Sequence, residues 1–157
     1  MKKLAEVELD SDEAEVVFEN IPQEYRKLKF YLEDKHIGDD EGGVGRLSFN
    51  DGDGTVETYR LTHDDSISTD INTDGRMFNV ESPTGRDVSA TRIEIEGYSN
   101  SKFKTTMRAL FTRPVTNSGE IFQGWWDRTE SVESITFSIG FGDEFAEGSY
   151  FALYGVL

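Results

Sequence analysis

Two histidines, His36 and His63, are the only imidazoles in the chain, and there is no cysteine. His63 is followed directly by Asp64 and Asp65. A carboxylate beside an imidazole can orient the ring and stabilise its protonated form, which is what general acid–base chemistry needs. A hydrolase built on His63 with Asp65 would also need a nucleophile. Neither a G-x-S-x-G turn nor a second basic partner lies nearby in sequence, so a solvated loop histidine is the plainer reading. The 31 acidic residues could supply a glycosidase-type carboxylate pair, but among so many acids any two look paired. The missing cysteine removes thiolate nucleophiles and Cys-ligated zinc. The expectation is a protein that is not an enzyme, with no catalytic residue and no cofactor.

The stretch NDGDGTVE, residues 50–57, has the look of a calcium loop. An EF-hand places oxygen ligands at alternate positions, glycine at the sixth and glutamate at the twelfth. Counting from Asp51, the third position is Asp53, but the fifth is Thr55 and the sixth is Val56. The spacing fails. The Asn, Asp and Gly residues are accounted for by a turn that joins GRLSFN to TVETYRLT as a hairpin. No metal site is expected, although the sequence does not fix whether Asn50 and its neighbours up to Gly54 hold a cation.

Trp125 and Trp126 are adjacent. In a strand, neighbours face opposite ways, so one ring would enter the core and the other would face outward. An outward tryptophan can stack on a sugar or anchor a partner. Packing of both rings, one inside and one under a loop or a neighbouring subunit, is the plainer reading. These two are the candidate binding residues. Lys102, Lys104 and Arg108 read as one strand face, next to Arg113. That positive stripe could meet an acidic face on an identical copy, or pair with Glu94 and Glu96 on an adjacent strand. It supplies the candidate subunit-contact residues.

The elements that must hold these side chains have a period of two. RKLKFYLED places Leu28, Phe30 and Leu32 on one face and Lys27, Lys29 and Tyr31 on the other. RIEIEG sets Ile93 and Ile95 against Glu94 and Glu96, and SITFSIG aligns Ile135, Phe137 and Ile139. FKTTMRALF alternates Phe103, Thr105, Met107, Ala109 and Phe111 against Lys104, Thr106, Arg108 and Leu110. Such alternation marks half-buried strands. AEVELD and AEVVFEN read as two further strands split by SDE. The breaks are turn chemistry rich in Gly, Asn and Asp. The stretch GSYFALYGVL, residues 148–157, carries no charge and reads as a strand covered on both faces. No long segment has a helical period, though one turn of helix around IPQEY or DEFAEG would fit. The pattern predicts an all-β fold, a single-domain antiparallel β-sandwich of jelly-roll type. It spans residues 1–157, with 1–17 as an N-terminal strand extension.

With 157 residues, 36% hydrophobic and 12% aromatic, the chain can bury a core without staples. Its 31 acids against 16 bases give a net charge of −15, which repels nucleic acid and anionic membrane. No secretory leader is expected, because Glu6, Glu8 and Asp10 interrupt the segment where an apolar run would be needed. No apolar run approaches the roughly 20 residues that span a bilayer, so no membrane insertion is expected.

Five pieces in order, FENIPQEYRKLKF, LSFNDGDGTVETY, IEGYSNSKFKT, WWDRTESVESITF and FAEGSYFALYGVL, together resemble a widespread group of tailed-virus (phage-like) structural proteins. The resemblance runs from Phe18 to Leu157 and ends on an F-x-x-GS-x-F-x-LYG strand. It implies a β-sandwich virion protein, a capsid decoration or turret protein, or a tail-fibre or baseplate part. Such a part acts in assembly and in host adhesion and has no catalytic residues to carry over. The resemblance makes Leu28, Phe49, Ile135, Phe145 and Phe151 core residues and Tyr98, Trp126 and Tyr154 packing aromatics. The partners it implies are other virion proteins, further copies in a homo-oligomer such as a trimer, and a host surface glycan. This sequence is more acidic than the group, which fits a virus of a salt-loving (halophilic) host. A stand-alone carbohydrate-binding jelly-roll module is the alternative.

Overall fold

Every second residue of RKLKFYLED is apolar, and a pleated strand turns that alternation into one dry face and one wet face. A computed structural model of the protein describes residues 1–37, 43–52, 54–62, 67–72, 75–80, 89–113 and 118–157. The described residues form β1 (Lys2–Glu8), β2 (Glu15–Phe18), β3 (Lys27–Asp34), β4 (His36–Ile37), β5 (Gly43–Phe49), β6 (Val56–Thr62) and β7 (Ile67–Asn72). They continue with β8 (Arg76–Val80), β9 (Ser89–Glu96), β10 (Thr106–Arg113), β11 (Ser118–Trp126), β12 (Ile135–Ile139), β13 (Glu144–Phe145) and β14 (Tyr150–Val156). Among the described residues there are two short 3-10 turns and no helix long and apolar enough to cross a membrane.

The fold is all-β and antiparallel, as the alternation predicted. An eight-stranded sheet runs β1-β14-β3-β9-β10-β11-β6-β7, and a four-stranded sheet runs β2-β12-β5-β8. The short pair β13-β4 stands apart. The two larger sheets pack face to face over one apolar cluster. At its centre Phe30 of the large sheet meets Phe137 of the small sheet edge to face at 5.0 Å, and Phe18 meets Phe30 at 5.3 Å. Leu28, Phe49, Ile135, Phe145 and Phe151 are all buried, as are Tyr98 and Trp126. Tyr154 differs, being half-buried on the outer side with its ring edge against Tyr31 at 5.4 Å.

The uncharged stretch is β14, hydrogen-bonded to β1 on one side and β3 on the other. Its glycine has a steric reason. A Cβ on Gly155 would lie 2.5 Å from Tyr25 Cγ, so the bare backbone makes room for that ring. Three expectations change. GRLSFN and TVETYRLT are β5 and β6, and they do not form a hairpin, since β5 pairs with β12 and β8 while β6 pairs with β11 and β7. The turn between them crosses from one layer to the other. Asn50 steers it with φ 46° and a side chain bonded to the 131–134 segment. FKTTMRALF becomes a strand only from Thr106. Phe103 is 71% exposed, because Asn100 Oδ1 accepts the amides of Lys102 and Phe103 and holds them in a loop. IPQEY is a turn rather than helix, fixed by Tyr98 Oη donating to the Pro22 carbonyl at 2.6 Å.

Candidate functional site

The outer face of the large sheet follows from the strand period and the register. Residues at odd positions of β3 face away from the core, as do even positions of β9 and β10, because Leu28, Phe30, Ile93, Ile95, Met107 and Ala109 occupy the buried side. Lys29 therefore stands opposite Glu94, and Glu94 opposite Arg108. Lys27 Nζ bridges Glu96 at 2.6 Å and Glu94 at 3.0 Å, while Lys29 Nζ reaches Glu94 at 2.7 Å. Bonding to Glu96 and then Glu94 raises the Lys27 ammonium above its usual range. Lys29, and then Lys27, hold the Glu94 carboxyl below the ordinary carboxylate value.

One residue pair further along the same strands, the surface turns aromatic and apolar. Tyr31 lies opposite Arg92, and Arg92 opposite Leu110. The Arg92 guanidinium sits over the Tyr31 ring at 5.0 Å, a cation–π contact. Leu110 is 45% exposed. A shallow groove of about 310 Å³ runs between Tyr31, Glu33, Ala90, Arg92, Leu110 and Thr112. A flat face with a rigid aromatic, an arginine and an exposed leucine suits contact with another macromolecule.

A second concavity, about 580 Å³, lies at one end of the small sheet and is bordered by Glu19, Asn20, Asn50, Asp51, Glu130 and Glu133 among others. The Asn50 side-chain amide is engaged there through both its nitrogen and its oxygen. Its Nδ2 donates to the Ser131 carbonyl at 2.9 Å, and its Oδ1 accepts Glu133 N at 2.8 Å and Ser134 N at 3.2 Å. Asn50 thus acts as a structural tie. Asp53, in the turn that resembled a calcium loop, lies outside the described residues. No group of three or more His, Cys, Asp or Glu among the described residues could hold a metal ion.

The two tryptophans part company. Trp126 is fully buried, its ring 5.3 Å from Phe49 and its backbone amide donating to the Thr105 carbonyl. It presents no face to a sugar. Trp125 is half-buried and lies on the outer side of β11, opposite Thr106 and Glu57. Lys102, Lys104 and Arg108 do not share a strand face. Lys102 and Lys104 belong to the loop that Asn100 organises, and Arg108 alone lies on the sheet. Glu94 and Glu96 are paired by Lys27 and Lys29 of β3, not by this stripe. His36 lies in β4, and His63, Asp64 and Asp65 lie outside the described residues.

Sequence reasoning missed Arg92 and Asp34. Arg92 shares the parity of Glu94 and Glu96, so the alternation already placed it outward. Asp34 continues the buried parity of Leu28, Phe30 and Leu32, and it is fully buried. Neither of its carboxylate oxygens is in hydrogen-bond geometry with a partner, and the buried hydroxyls of Ser89 and Thr91 are unpartnered too. Burial pushes the Asp34 carboxyl up to about 7, against a smaller opposing pull from the nearby Ser89 hydroxyl and its own backbone amide.

No family model matches the chain, and no curated protein matches it. Among solved structures, scytalido-glutamic peptidase with a transition state analog inhibitor aligns over 90% of this chain and 74% of that chain, at 10% identity and a TM-score of 0.36.

Proposed function

We propose that this chain is a virion structural protein of a tailed virus, a capsid-decorating or tail-fibre and baseplate component that works by assembly and adhesion. The sequence resemblance to tailed-virus structural proteins motivates the reading. The observation that carries it is the outer face of the large sheet, where Tyr31, Arg92 and Leu110 form a flat patch beside the Lys–Glu ladder. Broad flat surfaces of this kind suit subunit contacts, whereas small ligands take deep apolar pockets. The two-layer body behind that face gives it a rigid support. Symmetric assembly is the common arrangement for such parts, and a trimer is the state proposed here, with a pentamer or hexamer as the alternatives.

Mass spectrometry of purified virus particles from a host carrying the gene tests the reading, with the chain expected as a stoichiometric component. Its absence from particles would overturn it. A second reading is a carbohydrate-binding module, which the outward aromatics Tyr31, Tyr154 and Trp125 favour. A monomer in light scattering that gives signal on a glycan array would select that module.

A further inference from the structure

The chain carries −15, yet the outward positions of β3, β9 and β10 do not share that excess. Lys27 and Lys29 are matched by Glu94 and Glu96. What remains outward on these strands is Arg92 and Arg108 against Glu33. Among the described residues neither guanidinium has an ion pair. Arg92 has only the Tyr31 ring, and Arg108 stands across from a Glu94 already held by two lysines. Leu110, nearly half exposed, is opposite Arg92 and two residues from Arg108, so the arginines are diagonal neighbours about 7–8 Å apart at their Cα atoms.

Strongly acidic copies repel through most of their surfaces, and this face is where one can approach another without that penalty. The complementary surface is also present. Glu19 follows β2, Asp51 follows β5, and Glu130 and Glu133 precede β12, so all four border the concavity at one end of the small sheet. Face and concavity belong to different layers and do not compete. Arginine with carboxylate gives short, charge-assisted hydrogen bonds with directional geometry.

We infer that the outer face of the large sheet docks a second copy of this chain head to tail, with Arg92 and Arg108 of one copy set against the Glu19, Asp51, Glu130 and Glu133 concavity of the next. The inference rests on the assembly reading and names its surface. A heterologous contact of this type closes into a ring if the rotation per copy permits, and otherwise runs on as a filament. Tyr31 and Leu110 supply the apolar part of the contact, and the arginines set its register.

Sedimentation velocity tests this on the intact chain. The wild-type protein should self-associate at low salt and dissociate at high salt. The double variants Arg92→Glu/Arg108→Glu and Glu130→Lys/Glu133→Lys should each associate at least about tenfold more weakly. An equimolar mixture of the two should associate again, in alternating pairs, open chains or even-numbered rings, since each reversed surface then faces its complement. Circular dichroism of each variant checks that it is folded. Should a double variant fail to fold, Arg108→Ala and the salt dependence of the wild-type mass serve in its place. A wild-type oligomer indifferent to both reversals would overturn this surface while leaving the assembly reading intact. A wild-type protein that stays monomeric at low salt would overturn the inference itself, and the particle measurement then decides the assembly reading separately.

Discussion

The two faces of β3 and β9 are made from alternate residues of the same segments, yet they serve different ends. Inward, Leu28, Phe30, Leu32, Ile93 and Ile95 are almost fully buried in one apolar cluster. Outward, Lys27, Lys29, Glu94 and Glu96 form a charge ladder, and Tyr31 stacks with Arg92. The inner face carries the stability of the sandwich. The outer face contributes little to it, since partly exposed ion pairs are screened and weak, and so is free to carry recognition. Asp34 is the exception that marks the boundary, a carboxyl on the inner parity without a partner.

The comparison can be broken most violently at β14. Removing residues 149–157 strips β1 and β3 of their shared neighbour, and no folded product is expected by circular dichroism. A soluble, equally heat-resistant product would show that the inner face does not depend on that strand. Next, Trp126→Ala should cost about 3–5 kcal/mol and lower the thermal midpoint by roughly 10 °C. Trp125→Ala, one residue away on the other face, should cost about 1 kcal/mol or less. Equal losses would erase the distinction between the faces.

Asp34 allows a pH test. Its folded-state value of about 7 lies above the ordinary 3.8. The folded protein therefore binds the proton more tightly than the unfolded chain, and stability falls as pH rises from about 4 towards 7. The loss is on the order of a few kcal/mol. Asp34→Asn should flatten that dependence and raise the melting temperature above pH 7, as measured by thermal scans across the range. A variant less stable than wild type at pH 8 would mean that the carboxylate has a use there. The smallest effect is expected at the ladder. Lys27→Ala should cost about 0.5 kcal/mol in dilute buffer and less in high salt, read from urea midpoints.

Much of this was legible in the sequence. The period of two gave the sheets, the parity of Leu28 and Phe30 gave the core, and the uncharged run at 148–157 gave a covered strand. The partners of each strand were not legible. GRLSFN and TVETYRLT look like a hairpin because local turn chemistry suggests one, but the Asn50 side chain binds residues some eighty positions away and turns the chain across the sandwich. Alternation alone puts Phe103 on the inner side, but Asn100 folds that segment into a loop. The same loop separates Lys102 and Lys104 from Arg108. The site is half visible: alternation sets Tyr31 outward beside Lys27 and Lys29, but only the long-range register of β3 with β9 brings Arg92 against it. Which outward face faces a neutral patch depends on strand order, and that order is set by long-range pairing that no short motif encodes.

The placement of residues 150–156 between β1 and β3 also bears on how the molecule comes into being. A ribosome makes β1 and β3 well before β14; β3 can pair with β9 in the meantime, but β1 has no partner strand until these late residues emerge. The nascent chain must hold β1 and one edge of β3 open until then, and the closing step joins segments more than a hundred positions apart. Long-range closure of this kind makes for slow folding, so this molecule should reach its native form only after that late strand is in place, with exposed strand edges in the interval as the stage at which chaperones or misassembly would intervene.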